Sequence, residues 1–130
     1  MEIYFDADYA TIRYDKSTRI LSNVWKMPPL SSEFRTYMLA LVAAMDHFKT
    51  GKVLENLVKF GTLHPDDQHW ATTDWFEMAV NVGYTHIAFV LPGDAYTQMA
   101  IEDTMSPVEG KVTFRYFDNT DAAETWIIRA

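Results

Sequence analysis

The residues of this chain best suited to chemistry are gathered in Gly61–Trp75, GTLHPDDQHWATTDW, which holds two histidines, three aspartates and two tryptophans. His64, Asp66, Asp67, His69 and Asp74 are all metal-ligand types, so a cation site is the first chemistry to consider. Ligands on one helix converge at spacings of about three or four residues. His64 and His69 are five apart, and His64 precedes Pro65, a residue type favoured at the first helical position, so the two imidazoles diverge. Asp66 and His69 are three apart, but two ligands do not make a site. The acids read instead as first-turn carboxylates that favour the positive end of a helix dipole, with His69 in solvent. No metal is expected.

Other catalytic patterns are thinner. The chain has no cysteine, which removes thiolate ligands, cysteine nucleophiles and disulfides. The glycines at 51, 61, 83, 93 and 110 are isolated, so no phosphate-cradling loop forms, and no serine sits in a nucleophile elbow. Glu102 and Asp103 are adjacent and point apart on a helix. His86 lies in an apolar strand and reads as a core histidine with a satisfied hydrogen bond, while His47 complements the end of a helix. Nothing assembles a reaction: the expectation is no enzyme, no catalytic residue and no cofactor.

These residues are carried by elements that punctuation marks clearly. Met1–Phe5 and Ala10–Tyr14 read as short strands around a turn, and 19–26 as a third strand stopped by Pro28-Pro29. Ser31 or Ser32 can cap a helix with an apolar stripe of Phe34, Met38, Leu41, Met45 and Phe48, and Gly51 suits a left-handed position after it. Val53–Phe60 is a strand, followed by a helix from Pro65 to about Val82 that Gly83 ends. Thr85–Leu91 is nearly all apolar, as expected of a central parallel strand covered on both faces. Pro92-Gly93-Asp94 turns into a loose helix, Lys111–Phe117 alternates as a strand, and Thr120 caps a final helix. An antiparallel N-terminal meander followed by β-α-β-α-β-α units predicts a single-domain α/β fold over residues 1–130, a mixed sheet with parallel later strands.

Length and charge bound the function. The 130 residues fit one domain, and 48% hydrophobic content with 22% charge excludes wholesale disorder. Residues 1–65 carry a net charge of about +1 and residues 66–130 about −8, so the acidic second half disfavours nucleic acid and anionic lipid. No run reaches the roughly eighteen apolar residues of a membrane span. The N-terminus, MEIYFDADY, lacks the basic start of a signal peptide, and a cytoplasmic location is expected. Aromatics make up 15%, which predicts a ring-rich core. Trp70 and Trp75 are five apart, about 140° round a helix, so one faces the sheet and the other a rim.

The chain resembles the small bacterial SpoIIAA-like proteins of the STAS-type fold. The resemblance rests on Asp67-Gln68-His69-Trp70 with Asp74-Trp75, on Ala88-Phe89-Val90-Leu91-Pro92, and on Arg115-Tyr116-Phe117 before a helix ending in Trp126. It implies a four- or five-stranded mixed sheet with helices mainly on one face. It also implies a non-catalytic role: binding a protein partner, or, as in the related CRAL-TRIO-like branch, an apolar ligand. STAS-type switches are phosphorylated at a strand-to-helix junction within an Asp-Ser-Ser-Gly-like motif. The matching junction here, Phe60–Pro65, lacks that motif and offers only the Thr62 hydroxyl.

Two non-catalytic functions follow, the first leading and the second its alternative. One is a regulatory or protein-interaction module that docks an unidentified partner, or a second copy of the chain as a homodimer, through the junction after Phe60. The other is a carrier or sensor of a small apolar molecule or lipid held between sheet and helices. The candidate binding residues are Thr62, His64, Asp66, Trp70 and Trp75.

Overall fold

The alternation seen in the sequence builds a six-stranded sheet in a computed structural model that describes residues 1–130. The strands are β1 (Glu2–Asp6), β2 (Ala10–Asp15), β3 (Ile20–Trp25), β4 (Lys52–Asn56), β5 (His86–Val90) and β6 (Thr113–Phe117). The helices are α1 (Ser31–Phe48), α2 (Pro65–Thr72), α3 (Asp74–Asn81), α4 (Ala95–Met105) and α5 (Thr120–Arg129), with a short 3-10 turn at Ser106–Val108. The spatial order is β1-β2-β3-β4-β5-β6, antiparallel through β3 and parallel thereafter. This is the expected α/β architecture, with six strands rather than four or five.

The sequential order explains where the helices sit. When a parallel sheet grows one strand at a time in one direction, right-handed crossovers place every connecting helix on the same face. Leu21, Trp25, Val53, Ile87 and Phe89 point to that face and form the larger core with α1, α3 and the 3-10 turn. The terminal helix α5 follows the last strand, so no crossover constrains it. It covers the opposite face with Ala123 and Ile127, over Ile20, Leu54, Ala88 and Val90. β5 is thus buried on both faces, which is why its sequence does not alternate. A register shift between Ile3 and Phe5 lets adjacent residues Tyr4 and Phe5 both pack towards α1, against Phe48 and Tyr37.

Several local expectations change for identifiable reasons. The N-cap of α1 is Leu30, not a serine: Glu33 accepts its backbone N–H at 2.8 Å, and the Ser31 hydroxyl is engaged elsewhere. The left-handed residue after α1 is Lys49 (φ 54°) rather than Gly51. Gly51 is required by proximity, since a Cβ there would lie 1.7 Å from the Gly83 carbonyl oxygen. The predicted helix from Pro65 to Val82 is two helices, broken at Thr73. The hydroxyls of Thr72 and Thr73 donate to the carbonyls of Gln68 and His69 at 2.9 and 2.6 Å, competing with the helical ladder. Asn119, rather than Thr120, caps α5 by accepting the Ala122 N–H. His86 is a half-buried residue at the start of β5 whose Nδ1 meets the Thr85 hydroxyl, not a core histidine. No helix is long and apolar enough to cross a membrane.

Candidate functional site: an apolar cavity with one buried carboxylate

Period-two alternation along β4 puts Val53, Glu55 and Leu57 on the helix-covered face. Glu55 is therefore delivered into the core among apolar neighbours, and it is 6% exposed. Register supplies its surroundings: Asn23 on β3 lies beside it on one side and Phe89 on β5 on the other. The Asn23 side-chain amide donates to Oε1 at 3.0 Å. From α1 above, the Tyr37 hydroxyl donates to the carboxylate, 2.7 Å from Oε1 and 2.9 Å from Oε2. Tyr37 is where it is because the apolar stripe of α1 faces the sheet and carries it between Phe34 and Leu41.

Glu55 borders a cavity of about 140 Å3 between the sheet and the helices above it, of whose 23 lining residues 17 are hydrophobic. The floor is Trp25, Glu55, Leu57 and Phe89. The walls come from α1 (Phe34, Tyr37, Met38, Leu41), from α2 and α3 (Ala71, Trp75, Phe76) and from α4 (Ile101, Met105). The rim includes Thr62, Leu63, Gln68, Thr72 and Thr104. α4 closes one side without fully burying any of its residues, making it the wall with least to hold it in place.

Burial dominates the electrostatics. Desolvation pushes the Glu55 carboxyl from its ordinary 4.5 up to about 7, and the side-chain donors of Asn23, Tyr37 and Trp25 hold it from going higher. Burial, and then the neighbouring Glu55 charge, drive the hydroxyls of Tyr37 and Tyr84 well above the usual tyrosine range, so both stay protonated. No lysine, arginine or histidine lines the cavity to compensate the carboxylate.

The residues expected from sequence are distributed around this site rather than gathered in it. Trp75 is 3% exposed, lines the cavity, and donates its indole N–H to the Met38 carbonyl at 2.6 Å. Thr62 is exposed and lies on the rim. Trp70 is half-buried outside the cavity, beside Phe34 and under the Arg35 guanidinium at 4.8 Å. His64 and Asp66 are exposed at the start of α2, where His64 Nδ1 accepts the Asp66 backbone N–H at 3.1 Å. They do not meet Thr62 and Trp75 in one pocket.

Asp67 lies in the first turn of α2, as expected, but is buried there. It is 2% exposed and accepts from Arg35 Nε and Ser31 Oγ, both at 2.9 Å, tying α2 to α1. No group of three or more histidine, aspartate or glutamate side chains is arranged to hold a metal ion.

Sequence reasoning missed Glu55, Asn23, Tyr37 and Tyr84. For Glu55 the signal was present, since an acid between Val53 and Leu57 at period two breaks the apolar face of its own strand. Comparison with known proteins identifies no relative: no family model, curated protein or solved structure matches the chain.

Proposed function

We propose that this domain binds a small, mainly apolar molecule in the cavity between its sheet and α1–α4, acting as a carrier or sensor without catalysis. The observation that carries this reading is the cavity itself. A pocket of about 140 Å3 between aromatic walls, open at its rim, is close to the roughly 150 Å3 that accommodates one benzene-sized ring in an apolar protein interior. A concave pocket lined mainly by apolar and aromatic side chains, with few polar groups, is the usual form of a small-molecule site. The Tyr37 hydroxyl donates to Glu55 instead of being free to polarise a substrate, which favours binding over proton transfer.

One arrangement supports a second reading, a STAS-like regulatory module that docks a protein partner. The segment from Thr62 to Thr72 lines the cavity with Thr62, Leu63, Gln68 and Thr72, while turning His64, Asp66 and His69 to solvent. A molecule in the cavity and a protein on that surface would act on the same segment. The test is native mass spectrometry of protein purified without refolding, followed by amide NMR titration with toluene. Binding reads as an added mass, or as shifts confined to residues such as Leu57, Trp75 and Ile101. A bare chain mass together with an unchanged spectrum refutes the cavity reading.

A further inference from the structure

We propose that the cavity selects a protonated amine carried on an apolar body of about one ring, with the ammonium seated on Glu55. This inference rests on the cavity-binding reading above and adds the chemical class of the ligand.

Three features of the cavity point to a cation. The first is charge: Glu55 is the one acid among the lining residues, and no basic side chain faces it. A carboxylate taken out of water without a counter-charge is a costly arrangement, and a ligand can supply that charge where the protein does not. The groups packed round Glu55 are neutral: Asn23 and Trp25 from β3, Tyr37 from α1, Phe89 from β5 and Tyr84 from the segment before β5.

The second feature is the neutrality of the donors on the carboxylate. An ionised carboxylate offers about four acceptor positions. Protein donors occupy three contacts: Asn23 and Tyr37 on Oε1, and Tyr37 again on Oε2. The Trp25 indole N–H also lies close enough to the carboxylate to favour its charged form. All of these donors are neutral, so a charged donor remains the one kind of partner the protein does not supply. An ammonium supplies it as a charge-assisted bond, roughly twice as strong as a neutral one.

The third feature is the ring wall. Trp25 sits 4.3 Å from Tyr37 and 4.9 Å from Phe60 between ring centroids, and Trp75 and Tyr84 add a second edge-to-face pair at 5.5 Å. Aromatic faces attract a cation most when water is excluded. The same walls take the apolar body, of which the volume holds about one ring.

The test uses three probes of matched shape, benzylamine, benzyl alcohol and toluene, titrated into the full chain and into Glu55→Gln by calorimetry with amide NMR. Benzylamine is expected to bind at least about tenfold more tightly than either neutral probe at pH 8, the gain of one charge-assisted hydrogen bond. Its affinity should fall on the order of tenfold between pH 8 and pH 5.5 as Glu55 takes up a proton, while toluene binding holds or improves. Glu55→Gln should abolish the benzylamine advantage and leave toluene within about twofold, which also shows that the cavity is intact.

Benzylamine binding no better than benzyl alcohol, or unchanged in Glu55→Gln, overturns this inference and leaves the apolar cavity standing. If none of the three probes binds, the cavity reading falls and this inference falls with it.

Discussion

Replacing Glu55 by glutamine should make the protein more stable above neutral pH, although it removes a residue with three hydrogen-bond contacts. In the unfolded chain the carboxyl loses its proton near 4.5; in the fold, burial keeps that proton until about 7. Between those values the folded state binds more protons than the unfolded state, so raising the pH costs stability, and the loss levels off above about 7. At about 1.4 kcal/mol per pH unit, the interval from 4.5 to about 7 amounts to about 3 kcal/mol. Glutamine has nearly the same shape and its side-chain oxygen still accepts the Tyr37 hydroxyl, but it never ionises.

The two proteins should therefore be of similar stability near pH 4.5. Glu55→Gln should then gain progressively, to about 3 kcal/mol at pH 8. Urea unfolding followed by tryptophan fluorescence at half-unit pH steps measures this, and the difference between the curves cancels every other titrating group. A carbon NMR titration of the Glu55 carboxyl supplies an independent midpoint. Parallel stability curves, or a carboxyl midpoint near 4.5, would refute the claim that burial governs this group.

Two further substitutions probe the frame that holds the site. Gly51→Ala forces a Cβ to 1.7 Å from the Gly83 carbonyl oxygen, and the adjoining segment cannot move freely because Thr85 and His86 both donate to the Gly51 carbonyl. A loss of about 3 kcal/mol or more is expected in thermal unfolding, against a change within about 0.5 kcal/mol for Gly93→Ala, where a Cβ would meet nothing within 4 Å. Asp67→Ala should cost about 1–3 kcal/mol by freeing Arg35 and Ser31 from α2. A double-mutant cycle with Arg35→Ala should recover a coupling of about 1 kcal/mol, and additive losses would show that the pair does not hold α1 to α2.

The strands, the helices and their mixed parallel order were legible in the sequence because periodicity, proline and glycine act on near neighbours. Thr85–Leu91 announced a doubly covered strand through its unbroken apolar run, and the tertiary structure places α5 on the face opposite the crossover helices. Even the anomaly at Glu55 was visible, as a charge on the apolar side of a two-residue alternation. Its meaning was not. Asn23 is 32 residues away along the chain and Tyr37 is 18, and only the register of β3 on β4 and the seating of α1 bring them to one carboxylate.

Asp67 shows the same division. Its place in the first turn of α2 is local, whereas Arg35, also 32 residues away, decides that it is buried and paired rather than solvated. Gly51 is a third case: a glycine after a helix suggests a left-handed turn, yet the residue is demanded by a backbone that passes beside it from Gly83. The dense Gly61–Trp75 cluster drew attention by composition, but its side chains divide between rim, surface and interior once α2 and α3 dock. Sequence alone determined the order and type of the elements and which faces are apolar, because those properties repeat within a few residues. Its pattern runs β4 on to Phe60 rather than Asn56 and joins α2 to α3. Tertiary packing alone decided that these faces leave a cavity with one unpaired carboxylate, because volume and charge compensation belong to groups that are distant along the chain.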